Sequence, residues 1–158
     1  MLVFMSSSFA AQKPIYGIYE KVKLVEFDNV VVRAKFDTGA LTTSLGATNI
    51  HIFDKDGVDW VRFTPQIEGV TLPEMESPLV RHSNIKRRSG DTSDDVLHTV
   101  RPVIMLDICF DGKIYSVEAN LTDRSRFNYP LLVGKTALQE FNILIDPKLK
   151  YQSKPDCK

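Results

Sequence analysis

Cysteine is scarce in this chain, two residues in 158, and that scarcity excludes a disulfide-built miniprotein. Cys109 falls in a strand-like stretch and Cys157 beside the C-terminus. An intrachain bridge stays open, but the plainer expectation is two unpaired thiols, which leaves the redox compartment unsettled. A surplus of either charge is also missing, since 20 Lys and Arg meet 20 Asp and Glu. Neutrality removes the electrostatic footprint of a dedicated nucleic-acid or membrane-surface binder, so partners are to be sought in a pocket or an interface. Long apolar runs are absent too. The best are short, such as Val30 to Val32 and Val103 to Leu106, far below the roughly 20 residues a spanning helix needs, so no membrane span is expected. There is no HExxH helix, no CxxC pair and no Walker-type glycine loop, so neither a zinc site nor a nucleotide site is signalled. His51, His82 and His98 are too scattered in sequence to form a ligand set, and they read as solvated or core histidines. No metal and no cofactor is expected.

What is present is material for strands. Val and Ile number 26 against 7 Ala, with 24 Phe, Tyr and Thr besides, which reads as a mainly β domain. Folding at this length buries roughly 70% of the unfolded surface, enough for one self-sufficient core. Met1 to Ala11 is apolar and small, with Ser8 and Ala10 spaced as at a cleavage site but no basic segment before them. Residues 1–13 therefore read as an export-signal remnant or a flexible N-terminus, with a periplasmic location expected and a cytoplasmic one as the alternative. Residues 14–148 form the expected single domain and 149–158 a polar tail.

Three hairpins stand out. Gly17 to Phe27 turns at Asp28-Asn29 into Val30 to Phe36; Asn49 to Phe53 turns through Asp54-Lys55-Asp56-Gly57 into Val58 to Phe63; Arg101 to Phe110 turns at Asp111-Gly112 into Lys113 to Leu121. From Pro65 to Val100 the chain reads as a long loop. Its part from Arg81 to Arg88 carries four positive charges and the next part three negative ones, at Asp91, Asp94 and Asp95. A loop of that length in a compact domain is usually functional or disordered. One helix is predicted, Lys135 to Phe141, with Ala137, Leu138 and Phe141 on one face. A short buried strand over Ile143 to Ile145 follows, ended by Asp146-Pro147.

The chemistry-bearing stretch is Ala34-Lys35-Phe36-Asp37-Thr38-Gly39-Ala40-Leu41-Thr42-Thr43-Ser44. An apolar strand ends in an aspartate, and a small hydroxyl residue and a glycine follow. Asp is poor inside strands and Gly permits a sharp bend, so the strand breaks and presents a carboxylate at its end. Thr38 can hold the turn, and the N–H groups of Gly39 and Ala40 can face the carboxylate. The purely structural reading is an Asx turn closing a hairpin. A second element, Pro130 to Leu138, is an apolar strand that ends at Gly134 and enters the helix.

On these residues the sequence resembles the retropepsin-like aspartic peptidases, in which Asp-Thr-Gly-Ala supplies the catalytic carboxylate and a later apolar strand, glycine and helix pack beneath it. It is closer still to the single-domain bacterial group labelled ATP-dependent zinc protease. The likeness runs from Ile15-Tyr16-Gly17-Ile18-Tyr19-Glu20 through AKFDTGALTTSL and Arg101-Pro102-Val103 to LLVGKTALQEFNILIDP, with Lys135 standing where the family often has Arg. It implies a closed acid-protease β-barrel with one short helix near the C-terminus. It also implies catalysis by Asp37 with Thr38 and Gly39, and substrate contacts by Ala40.

Aspartic peptidases need two carboxylates sharing one proton around a water, and only Asp37 has the required setting. The second is expected from Asp37 of another subunit, across a two-fold homodimer axis where the Thr38 hydroxyls bond to each other. Arg81 to Arg101 is then the expected flap, with Gly90 as hinge and Arg81, Arg87 and Arg88 favouring an acidic substrate. The family's association with ligases that attach glutamate-type residues points to peptide or glutamate-type amide bonds. The competing class is a non-catalytic binding domain that keeps the barrel.

Overall fold

The structure is a computed structural model that describes residues 11–86 and 98–158. The three predicted hairpins are present. Strands β1 (Ile15–Leu24) and β2 (Val30–Asp37) pair antiparallel, as do β3 (Thr43–Lys55) and β4 (Val58–Pro65), and β7 (His98–Phe110) and β8 (Lys113–Thr122). Each turn places both central residues at positive φ: Asp28 and Asn29 at 52° and 55°, Asp56 and Gly57 at 56° and 79°, Asp111 and Gly112 at 47° and 84°. That is the left-handed pair whose twist matches two right-twisted strands, and Asn, Asp and Gly tolerate it best.

Strand β9 (Leu131–Gly134) runs parallel to β2 and antiparallel to β3, and β3 continues parallel to β8. The ring β1–β2–β9–β3–β8–β7 closes where Lys23 and Leu24 of β1 meet Cys109 and Ile108 of β7. This is a closed six-stranded barrel, the acid-protease architecture that the resemblance implies. Alternation along β2 fills it: Val32, Ala34 and Phe36 are buried, while Val31, Arg33, Lys35 and Asp37 face the other way. Helix α1 (Lys135–Phe141) covers one end with Ala137, Leu138 and Phe141. Phe141 stacks on Phe110 at 4.7 Å between ring centres, and Phe36 meets Phe110 edge-on at 5.4 Å.

The stretch from Pro65 to Val100 departs from the expected long loop. It contains β5 (Met75–Pro78), paired with β4, and β6 (Arg81–Lys86), paired with β7 from Arg81↔Val103 to Lys86↔His98. The two ends of the expected flap, Arg81 to Lys86 and His98 to Arg101, are therefore paired strands. Arg87, Arg88 and Gly90 lie outside the described residues.

The C-terminal part also differs from expectation. The final strand, β10 (Leu144–Lys150), runs through Pro147 parallel to β1, and Leu144 is 49% exposed. A strand hydrogen-bonded on one side only accepts a proline. Residues beyond it are anchored. Ser153 is buried, and Cys157 is bonded to Cys109 with Cα atoms 5.9 Å apart, so the two cysteines form a bridge where two unpaired thiols were the plainer expectation. β7 ends beside the barrel seam and brings Cys109 to the C-terminal segment, a proximity that a sequence separation of 48 conceals.

Candidate active site

Asp37 is the last residue of β2, level with Gly134 at the end of β9. Gly39 N–H donates to its Oδ1 at 2.9 Å, and Ala40 N–H donates to its backbone oxygen at 3.3 Å. The Asx turn is thus real, but it closes no hairpin, because β9 lies between β2 and β3. The turn instead starts a loop, residues 38–42, that rests on the entry to α1. Lys135 N–H donates to Ala40 O at 2.7 Å, Thr136 N–H to Leu41 O at 3.2 Å, and Gly134 N–H to the buried Thr43 Oγ1 at 3.2 Å. A Cβ on Gly134 would stand 2.6 Å from the Thr42 carbonyl carbon, so only glycine lets the two segments approach this closely. The first turn of the helix, which has spare N–H groups, is spent on holding the aspartate loop.

The carboxylate is held in place yet open to solvent. Its side chain is 27% exposed, Thr38 and Gly39 are exposed and Ala40 is half-buried. Partial burial pushes the Asp37 carboxyl up, but the Gly39 N–H, the Lys35 ammonium 3.2 Å from Oδ2 and the Ala40 N–H together outweigh it and hold it below the ordinary aspartate value. Among the described residues no second carboxylate bonds to Asp37.

Of the residues expected to contact substrate, Arg81 is brought to the loop: its Nη2 lies 3.4 Å from Thr42 Oγ1. It already has a carboxylate, however, with Nε 2.7 Å from Glu118 Oε2. Among the described residues no group of three His, Cys, Asp or Glu side chains is placed to hold a metal ion.

Sequence reasoning passed over Lys35, Arg101 and Arg124. Lys35 was legible, being two residues before Asp37 on the same face of a strand. Arg124 was not, because it follows β8 in a polar loop and is buried only through tertiary structure. It is 7% exposed and sits against Ser44 and Tyr129. Burial, with Arg101 adding to it and Asp37 opposing, pulls its guanidinium down to about 10.

The family model described as retropepsin-like aspartic endopeptidase RimB matches residues 15–156. Among curated proteins, a probable alpha-L-glutamate ligase of Desulfotalea psychrophila is 29% identical over 87% of this chain, and one of Shewanella pealeana is 33% identical over 73%. The chain spans only 29% and 24% of the length of those two relatives. A crystal structure of a Legionella pneumophila protein of unknown function is 34% identical and superposes with a TM-score of 0.71, over 89% of this chain and 98% of that one.

Proposed function

The chain belongs to the RimB-like family of retropepsin-like aspartic endopeptidases, and from that membership we propose that it hydrolyses peptide or glutamate-type amide bonds with Asp37 from two subunits and a shared water. The observation that carries this reading is the placement of Asp37. It ends a barrel strand, is fixed by the Gly39 N–H and keeps an open face. Two such carboxylates brought to one axis cannot both ionise, so one becomes general acid and the other general base to the water between them. The water attacks the amide carbon, its proton passes to the basic carboxylate, and the acidic one protonates the leaving nitrogen.

Relatives named as glutamate ligases support a substrate of glutamate-type amides, since the matched segment there shares a polypeptide with a named glutamate-joining function. The Cys109–Cys157 bridge supports an oxidising compartment. A second reading, a binding domain that keeps the barrel, is favoured by the Lys35–Asp37 contact, which would have to open before a dyad forms.

The deciding experiment assays Asp37→Asn against the unaltered chain on a library of acidic and neutral peptides and γ-glutamyl amides between pH 4 and 7. Loss of cleavage by at least about a hundredfold is expected, the scale on which one general acid–base group acts. Equal turnover by the variant would overturn the aspartic mechanism.

A further inference from the structure

A cavity of about 830 Å³ opens beside the barrel, with Arg33, Gln66, Leu72, Arg124, Tyr129 and Pro130 in its walls. This size falls within the roughly 300–1,000 Å³ range of ligand-binding clefts. Its polar groups are unusual in what they lack. Arg124 is 7% exposed, yet among the described residues it makes no ion pair; its hydrogen bonds go to neutral acceptors, Tyr129 O at 3.0 Å and Ser44 Oγ at 3.4 Å. Gln66 Oε1 is buried with no donor. Arg101, outside the lining of the cavity, reaches Asn120 Oδ1 at 3.4 Å through Nη1, while its buried Nε has no acceptor. By contrast Arg33, on the outer wall, is exposed and paired with Glu68 at 2.6 Å.

Buried cations are rare unless paired, because removing the charge from water is costly and only a nearby anion offsets it. Here Arg101 adds to the cost of the charge on Arg124, and among the described residues no carboxylate forms an ion pair with either guanidinium. The cavity is also tied to the strand that follows the aspartate loop, through Arg124. Arg124 bonds Ser44 of β3, the strand that leaves the 38–42 loop, and the field of Asp37 reaches it. A planar guanidinium with free donors suits a carboxylate, which it binds in a two-pronged manner.

We propose that this cavity is the subsite for a carboxylate side chain of the substrate, with Arg124 as the residue that pairs it and Gln66 Oε1 as acceptor for a substrate N–H. The identification of the ligand as substrate rests on the peptidase reading above. The pairing of an anion does not.

Binding is therefore measured on the Asp37→Asn chain, where cleavage cannot intervene. The probes are a glutamate-rich peptide and its glutamine counterpart, both blocked at the ends so that terminal carboxylates play no part. We expect the glutamate peptide to bind at least about tenfold tighter, and Arg124→Gln to abolish that preference without weakening the glutamine peptide. Gln66→Glu, which puts a competing carboxylate into the same cavity, is expected to weaken the glutamate peptide selectively, and it serves if Arg124→Gln does not fold. A glutamate preference unchanged in folded Arg124→Gln, or in Gln66→Glu, overturns the subsite. The two readings separate cleanly. Arg124-dependent binding with no cleavage by the unaltered chain would sink the peptidase and keep the subsite; cleavage without discrimination would do the reverse.

Discussion

Asp37 and Lys35 share one face of β2, and their contact makes a prediction at the scale of the residue. Burial raises the Asp37 carboxyl, while the Gly39 N–H, Lys35 and the Ala40 N–H lower it by more. A carboxyl held below its unfolded value of about 3.9 gives stability that is present above that value and lost as pH falls through the folded one. Lys35→Met removes one of the lowering influences, so the Asp37 carboxyl should titrate at higher pH. NMR titration of the carboxyl carbon would register the rise, and the acid limb of any peptidase activity should move to higher pH with it. No movement would mean that the ammonium, 3.2 Å away and 38% exposed, is screened by water. The aspartate itself was legible because its neighbours are local: the apolar run before it and the glycine after it are properties of five consecutive residues. Arg124 was hidden for the opposite reason. Its burial depends on β3, β8 and the 125–130 turn meeting, and nothing in TDRSRFNYP announces that meeting.

The same divide between local and distant causes operates among the elements. The three hairpins could be read because each turn carries Asp, Asn or Gly at positions that need positive φ. β6 could not, since RHSNIK has one strong apolar residue and becomes a strand only by pairing with the first half of β7. β10 was cut short at Pro147 by the same local logic, which ignores that it binds a single neighbour. The segment after it was read as a tail because it is polar, but its polarity has a buried target. Glu20 is fully buried and accepts hydrogen bonds from Gly17 N–H at 2.7 Å and from Ser153 N–H at 2.8 Å. The Ser153 hydroxyl lies 2.9 Å from the same carboxylate and 2.7 Å from Lys21 O, and its one proton serves either. Removing the hydroxyl leaves buried oxygen atoms short of a donor, a loss of about 1–3 kcal/mol. Ser153→Ala should therefore lower the urea midpoint with an unchanged slope. A change below a few tenths of a kcal/mol would show that the backbone N–H alone suffices. The Cys109–Cys157 bridge pins the same segment; closing a loop of this size is worth about 4 kcal/mol in the chain-entropy account.

At the scale of the whole molecule, one chain closes its barrel but holds, among the described residues, one strand-end aspartate of the kind the proposed mechanism needs. The ring of six strands is completed within the subunit by the β1–β7 contact, so the fold does not call for a second copy. The chemistry does. If activity requires Asp37 from two subunits, subunit mixing exposes that requirement without any knowledge of the interface. Chains carrying Asp37→Asn should dimerise normally, since the amide keeps the shape and can still accept from Gly39 N–H. When an equal amount of this variant is exchanged into a fixed amount of unaltered chain, random pairing of a two-fold dimer leaves about half of the original unaltered dimers. The cleavage rate should fall to about half, although no unaltered chain has been removed. A monomeric enzyme, or a dimer whose sites are each complete within one subunit, would keep its full rate. Dilution supplies the companion measurement: below the dissociation constant of the dimer, activity per chain should fall in proportion to concentration, and sedimentation velocity on the same samples should show the dimer peak disappearing in step. Constant activity per chain through that dilution would return the protein to the class of self-contained domains that its length first suggests.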